Sequence, residues 1–194
     1  MPDTLERQVS FLLEADKLKE VVRLNQLASG TRREGTAEHC WHVILQTLTF
    51  ADHAPDGTDI HHVVKLLTVH DLVEIDAGDH WVDESSISEV KAREKAAAER
   101  LFALLPEPQG TEFKKLWLEF EANETDEARF ANAMDALHPM VLVFASGIDD
   151  PTHAPISAAD LRQTKEARLR PFPRLWDYAQ SLLDQAAKAG HLLP

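Results

Sequence analysis

The sequence predicts an all-α fold in a single domain, on three observations. Apolar residues recur at helical spacing along nearly the whole chain. No stretch has the alternation of apolar and polar residues, or the enrichment in β-branched residues, that is typical of strands. The length of 194 residues suits one domain with a sizeable core, and no repeat or low-complexity linker divides it.

The first half of the chain predicts three helices. The first covers residues 4–20, followed by an irregular connection over 23–35 that is rich in turn-forming residues. The next two helices, 36–51 and 59–74, begin at Thr36, which can cap a helix N-terminus, and at Asp59. Four apolar residues are expected on the inner face of the first helix: Leu5, Val9, Leu12 and Leu13.

The second half predicts five further helices, over residues 89–105, 111–122, 125–145, 157–169 and 171–188. Pro106 ends the first of these, because proline cannot continue a helix. Gly190 ends the last one as a C-terminal stop.

The charge of the chain restricts its partners. Twenty Lys and Arg residues against 33 Asp and Glu residues give a net charge of −13, which argues against binding to a nucleic-acid polymer or an anionic membrane. A small anionic substrate remains compatible, because a pocket can carry a local charge opposite to that of the whole protein. The single cysteine, Cys40, excludes an intramolecular disulfide. With no apolar run long enough to span a membrane, we expect a cytoplasmic protein.

Three short clusters contain residues suited to metal chemistry. Two histidines and two aspartates from three helices can surround one divalent ion and leave positions for water and substrate. This donor set suits Mn²⁺, Co²⁺, Zn²⁺ or Mg²⁺, and it is also compatible with a structural ion that takes no part in catalysis. The clusters are Glu38-His39-Cys40-Trp41-His42, His70-Asp71-Leu72-Val73-Glu74 and Ala133-Met134-Asp135-Ala136.

Two carboxylates favour the metal hypothesis. Asp71 and Asp135 each lie among apolar helical residues, where a carboxylate is costly unless it is paired or bound to a metal. His42 follows His39 by about one helical turn and is the best rival ligand, although packing or a hydrogen bond to a ligand is the preferred interpretation. His138 likewise follows Asp135 by about one helical turn.

Taken in order, these motifs resemble the HD-domain phosphohydrolase superfamily, and within it the single-metal 5'-deoxynucleotidases. The resemblance covers about residues 18–145, with a weaker match in the C-terminal helices at 157–190, and implies one HD-domain helical bundle over 1–194. Such proteins are usually homodimers that remove the 5'-phosphate from deoxyribonucleoside monophosphates. The matching motifs are Ala37-Glu38-His39, Trp41, His70-Asp71-Leu72-Val73-Glu74, Gly78-Asp79, Thr125-Asp126-Glu127-Ala128-Arg129 and Asp135.

The resemblance also implies roles for individual residues. It makes Glu74 the catalytic acidic residue, Asp79 an acidic residue of the substrate pocket and Arg23 a phosphate-binding residue. The family has a tryptophan next to this arginine, whereas this chain has Leu24, which affects how the nucleoside is held. The implied ligands of one divalent ion are His39, His70, Asp71 and Asp135.

General chemistry agrees with these roles. A divalent cation lowers the pKa of bound water and polarises a phosphate oxygen. Glu74 lies three residues after Asp71, close to one helical turn, so it can face the same cavity and orient water. An anionic phosphate also needs cationic partners, and Arg32 and Arg33, shortly before the first histidine motif, are further candidates.

Three alternatives remain open. Two-metal phosphodiesterases of the superfamily have extra histidines between the His-Asp pair and the final aspartate, where this chain has only His80. Alarmone hydrolases resemble a His-Asp-x-x-Glu-Asp pattern, whereas Ile75 follows Glu74 here. A metal-stabilised nucleotide-binding protein without catalysis would use the same ligands.

Overall fold

A computed structural model describes residues 3–79, 87–145 and 157–193. The described residues are mostly helical, which confirms the predicted fold class. None of the helices in the described ranges is long and apolar enough to cross a membrane. The elements are α1 (Thr4–Ala15), a 3-10 segment (Asp16–Glu20), β1 (Val22–Gln26), β2 (Arg33–Gly35), α2 (Thr36–Thr49), a 3-10 turn (Ala51–His53), α3 (Ile60–Val69), α4 (Glu74–Ala77), α5 (Ile87–Phe102), α6 (Gln109–Ala122), α7 (Asp126–Met140), a π-helical segment (Val141–Ala145), α8 (Ala158–Leu169) and α9 (Pro173–Ala189).

The expected irregular connection contains a small antiparallel hairpin, so the prediction of no strand is wrong here. β1 pairs with β2, with Val22 opposite Gly35 and an irregularity in register along the pair. Gly30 in the connecting turn has φ 67°, a conformation in which glycine is favoured. The hairpin leads directly into α2, because Gly35 is both the last residue of β2 and the N-cap of that helix.

Side-chain caps mark the starts of three helices. The side chains of Asp59, Thr125 and Ser157 each accept backbone N–H groups in the first turn of the following helix, and each residue stands at the start of a predicted helical range. Thr36 does not cap α2: it is the first residue of that helix, and Glu38 accepts the N–H of Gly35 at 3.1 Å.

The packing of three helices creates the position of the site. Helix α3 packs against α2 and α7, and α2 also packs against α7. Buried apolar side chains from all three helices form the main core, to which α8 and α9 add their own. The three motifs predicted to bind metal lie on these central helices or directly after them, so folding the core brings the motifs together. The core residues of α2, α3 and α7 include Val43, Leu66, Leu67, Met134 and Leu137.

The inner face predicted for α1 is wrong. Leu5, Val9, Leu12 and Leu13 are 66%, 45%, 65% and 69% exposed. The helix instead buries Phe11, whose ring lies edge-on to Phe113 at 5.7 Å between centroids. Helical spacing identifies residues that share a face, but it does not determine which face meets the core.

Candidate metal centre

The four predicted metal ligands converge. His39 lies on α2, His70 and Asp71 directly follow α3, and Asp135 lies on α7. His39 Nε2 is 3.1 Å from Asp135 Oδ1 and 3.6 Å from Asp71 Oδ2. His70 Nε2 is 3.2 Å from Asp71 Oδ2 and 4.0 Å from Asp135 Oδ1. Both histidines are buried, so two imidazoles and two carboxylates face one another in the protein interior.

The hydrogen bonds of His70 show that this cluster fits a cation. The Nδ1 of His70 lies 2.9 Å from the carbonyl oxygen of Leu67, an interaction that requires Nδ1 to carry a proton, so Nε2 is the nitrogen that offers a lone pair when the ring is neutral. Within the described residues, the buried Nε2 has no hydrogen-bond partner. A divalent cation of the kind that accepts nitrogen and oxygen ligands would satisfy this atom and the neighbouring carboxylates.

Electrostatics support the same fit. Burial opposes protonation of His70, but the negative charge of Asp71 outweighs it and raises the pKa of this histidine well above its usual value. Burial likewise favours the neutral form of Asp135, but the hydrogen bond and charge of His39 lower the pKa of Asp135 well below its usual range. The cluster therefore stabilises positive charge placed between its carboxylates, which is the property that a cation site requires.

Arg23 lies beside the predicted ligands. Its Nη1 donates to Asp71 Oδ2 at 3.2 Å and lies 3.8 Å from Glu74 Oε1. Burial opposes the charge of Arg23, but Asp71, Asp135 and the other nearby carboxylates outweigh it and raise the pKa of the guanidinium further above its usual value. A permanently charged guanidinium next to a cation site is suited to hold a phosphate.

Glu74, the first residue of α4, faces the same cluster. Its Oε2 accepts a hydrogen bond from the Thr36 hydroxyl at 2.9 Å, so α2 orients the carboxyl group. Burial and the charge of Asp71 raise the pKa of Glu74 to about 9, although Arg23 acts in the opposite direction. A carboxyl group with a raised pKa beside a cation site is a candidate for proton transfer.

Asp79 also lies close to the arginine strand. Its Oδ2 accepts the backbone N–H of Leu24 at 2.9 Å, which ties the segment after Gly78 to β1. The carboxylate is therefore placed one residue along the strand from Arg23, at the edge of the cluster.

The structure does not bring Arg32 and Arg33 into the cluster. Arg32 donates to both oxygens of Glu38, at 2.8 and 2.7 Å, and both side chains are about half exposed. Arg33 is exposed. The two arginines, Lys19 and Glu38 line a surface groove of about 520 Å³. His39, the next residue of α2, is buried.

Two basic residues of α8 that the sequence motifs do not include lie near the predicted ligands. Arg168 Nη1 is 3.7 Å from Asp135 Oδ2. Burial lowers the pKa of Lys165 to about 8, against the effect of the Asp135 charge, and Arg168 and Arg23 lower it further. Helical spacing puts Lys165 and Arg168 on one face of the predicted helix. Nothing in the sequence indicates that this face packs against α7.

Two further histidines, His138 and His42, form a chain of ring contacts that begins at His39. His39 Nδ1 is 3.1 Å from His138 Nδ1, and His138 Nε2 is 2.9 Å from His42 Nδ1. Burial and the neighbouring histidines lower the pKa of His138 to about 2, so this ring is neutral at physiological pH. His42 thus contacts a ligand through another histidine, in agreement with the preferred interpretation of its position.

Comparisons with known proteins agree with this geometry. The family model of the HD domain matches residues 15–176. The 5'-deoxynucleotidase HDDC2 of Homo sapiens is 28% identical over 149 residues, which are 76% of this chain and 71% of the relative. The 5'-deoxynucleotidase hdd1 of Schizosaccharomyces pombe is 28% identical over 142 residues, 70% of each chain.

Solved structures share the fold. A crystal structure of a predicted metal-dependent phosphohydrolase from Magnetospirillum magnetotacticum MS-1 is 39% identical, with a TM-score of 0.89 over 98% of this chain and 96% of that one. The PH0347 protein of Pyrococcus horikoshii OT3, at 21% identity and a TM-score of 0.63, covers 93% of this chain and 99% of its own. With the family match extending over most of its length, the chain belongs to the HD domain family.

Proposed function

We propose that the protein is a metal-dependent phosphomonoesterase that releases phosphate from nucleoside 5'-monophosphates, with deoxyribonucleotides as the leading substrates. The observation that carries this proposal is the convergence of two histidines, two aspartates, an arginine and a buried glutamate in one cluster. The similarity to proteins named 5'-deoxynucleotidase and metal-dependent phosphohydrolase supports the substrate class and the reaction.

In this proposal the four ligands hold one divalent cation, which could be Mn²⁺, Co²⁺, Zn²⁺ or Mg²⁺. When bound, the cation supplies positive charge at the phosphate, activates water and offsets the negative charge of Asp71. Arg23 binds phosphate oxygens through its guanidinium N–H groups. The ligands are His39, His70, Asp71 and Asp135.

The side chains around the phosphate complete the hydrolysis. A bound cation would offset the charge of Asp71 and so would lower the raised pKa of Glu74. Glu74, oriented by Thr36, could then be ionised and accept a proton from water as the water oxygen attacks phosphorus. The bond between phosphorus and the 5' oxygen breaks, this oxygen takes up a proton from solvent as the nucleoside leaves, and Glu74 returns its proton to solvent. Asp79 is assigned to the sugar end of the substrate, next to Leu24. Because leucine cannot stack on a base as a tryptophan does, we expect weaker binding of the nucleoside.

The test is phosphate release from a panel of nucleotides by metal-stripped protein, with each of the four ions added in turn. Glu74→Gln keeps the size of the side chain and removes the proton acceptor, so we expect the rate to fall by about 10²- to 10⁴-fold. Glu99→Gln on α5, an exposed glutamate paired with Lys114, is the matched control and should retain the wild-type rate.

Three results would contradict the proposal. An unchanged rate in Glu74→Gln would remove this residue from the mechanism. No release from any phosphoester with any ion would favour the non-catalytic binding protein, and preferred turnover of alarmones would move the chain to another branch of HD phosphohydrolases. We also propose, from the resemblance and the single cysteine, a homodimer located in the cytoplasm.

A further inference from the structure

A buried glutamate outside the predicted site contacts two of its residues and the neighbouring His138. Glu34 lies on β2 and is 2% exposed, which is rare for a carboxylate unless it is paired. Its Oε2 is 3.6 Å from His39 Nδ1 and 3.9 Å from Arg23 Nε, and its Oε1 is 3.8 Å from His138 Nε2. Glu34 therefore lies between the arginine of the site and the side of His39 that faces away from Asp135.

The direction in which hydrogen bonds are donated along His39, His138 and His42 depends on which nitrogen of His39 binds the cation. A neutral imidazole has one donor and one acceptor nitrogen. If Nε2 of His39 is a ligand, the proton is on Nδ1 and is donated to His138 Nδ1 at 3.1 Å. His138 then carries its own proton on Nε2 and donates it to His42 Nδ1 at 2.9 Å. The reverse direction would place a proton on His39 Nε2 and block it as a ligand.

When His39 donates to His138 and His138 donates to His42, the two donor nitrogens are His39 Nδ1 and His138 Nε2. The two oxygens of Glu34 face these two nitrogens. Oε2 lies beside His39 Nδ1 and Oε1 beside His138 Nε2. An ionised carboxylate only accepts hydrogen bonds, so it favours N–H groups at these positions and disfavours the nitrogen lone pairs that the reverse direction would present.

We propose that Glu34 is a positioning residue that fixes the tautomer of His39, with its Nε2 lone pair towards the metal site, and holds Arg23 in place. This inference rests on the proposed ligand role of His39. The guanidinium of Arg23 lies between Glu34 and Asp71, so one buried carboxylate sets the orientation of both the ligand and the phosphate-binding residue. Loss of a carboxylate partner of a ligating histidine typically weakens metal affinity 10- to 100-fold.

One alternative uses the same atoms. Glu34, His39 and His138 each offer a ligand atom within 4.8 Å of the others, so they could hold a second cation instead of orienting a histidine. The number of ions bound per chain separates the two arrangements: one ion is expected from the positioning role, and two ions would contradict it.

The experiment compares Glu34→Gln with Glu38→Gln. Both are isosteric, but Glu38 is half exposed and pairs with Arg32. Calorimetric titration of the metal-stripped proteins with Mn²⁺ should show affinity at least 10-fold weaker in Glu34→Gln and unchanged in Glu38→Gln. With diamagnetic Zn²⁺ bound, nitrogen-15 spectra of the histidine rings should show His39 protonated on Nδ1 in the wild type, and partial loss of this tautomer in Glu34→Gln.

The outcomes distinguish this inference from the ligand assignment on which it rests. If His39→Ala binds Mn²⁺ as tightly as the wild type, the assignment of His39 fails. If His39→Ala weakens binding but Glu34→Gln changes neither the affinity nor the tautomer, only the positioning role fails. Circular dichroism of each variant verifies the fold, and Glu34→Asp, which retains the charge, should recover part of the affinity.

Discussion

Arg23 is proposed to bind the substrate phosphate while it contacts a predicted metal ligand. Its Nη1 donates to Asp71 Oδ2 at 3.2 Å and lies 3.8 Å from Glu74 Oε1. We predict that Arg23→Lys raises KM for a nucleotide substrate about 10-fold or more. Lysine retains the charge but loses the planar fork that binds phosphate and carboxylate together. Steady-state kinetics measure the change, with the exposed Arg129→Lys as control. An unchanged KM in Arg23→Lys would remove the arginine from phosphate binding.

Lys165 gives the site a dependence on pH. Burial lowers its pKa to about 8, so its positive charge is present below that pH and is lost above it. We predict that kcat/KM for an anionic substrate falls as the pH rises through about 8. In Lys165→Gln the fall at this pH should disappear and kcat/KM at pH 7 should be lower, whereas the exposed Lys65→Gln should follow the wild-type profile. A persistent fall at pH 8 in Lys165→Gln would assign it to another group.

At the residue scale, the sequence indicates those site residues that local spacing relates to one another, but not those that the packing of distant elements brings in. His70 and Asp71 are adjacent, and helical spacing relates Glu74 to them, so the motif itself carries their relation. Arg32 was assigned from its closeness in sequence to His39, but the structure pairs it with Glu38. Glu34, Lys165 and Arg168 depend on the packing of β2 and α8, which no local pattern specifies.

At the element scale, caps and stops were predictable because each is a local interaction between a side chain and its own turn. The hairpin was not, since strands of five and three residues are too short to display an alternating pattern. It matters to the site all the same, because β1 carries Arg23 and β2 carries Glu34. The outward face of α1 was assigned to the core for a related reason: its apolar spacing contains no information about the neighbouring elements.

The cap of α7 provides a prediction at this scale. Thr125 accepts the N–H of Ala128 at 3.1 Å and thereby satisfies one of the free donors at the start of the helix that carries Asp135. Thr125→Ala should lower the free energy of unfolding by about 1 kcal/mol. Urea denaturation measures this, with Thr68→Ala as control, whose hydroxyl only bonds the carbonyl of Val64 within α3. Equal effects of the two substitutions would show that the cap contributes nothing specific.

At the scale of the whole molecule, the homodimer expected from the resemblance is consistent with the exposed side chains of α1. Four large apolar residues on one helix face are more than a monomer usually leaves in water. Light scattering after size exclusion should give about twice the chain mass of 21.8 kDa. Leu12→Glu should lower that mass if this face joins two copies, whereas Leu118→Glu, on the exposed side of α6, should leave it unchanged. A mass of one chain for the wild type would contradict the dimer.

Metal binding should stabilise the whole fold, because the proposed ligands come from α2, the end of α3 and α7, the three helices that pack around the main core. An ion that binds only the folded state adds about 2.7 kcal/mol at 100 times its Kd, which corresponds to roughly 5–10 °C in Tm for a domain of this size. We therefore expect Mn²⁺ or Co²⁺ to raise the Tm of metal-stripped protein by several degrees in a calorimetric scan. Asp135→Asn should abolish this rise, and Asp126→Asn, an exposed residue of the same helix, should keep it. Without Asp135 the remaining ligands connect only α2 and the end of α3, so the stabilisation should be lost. If Mn²⁺ or Co²⁺ still raises the Tm of Asp135→Asn as much as that of the wild type, the ion binds elsewhere.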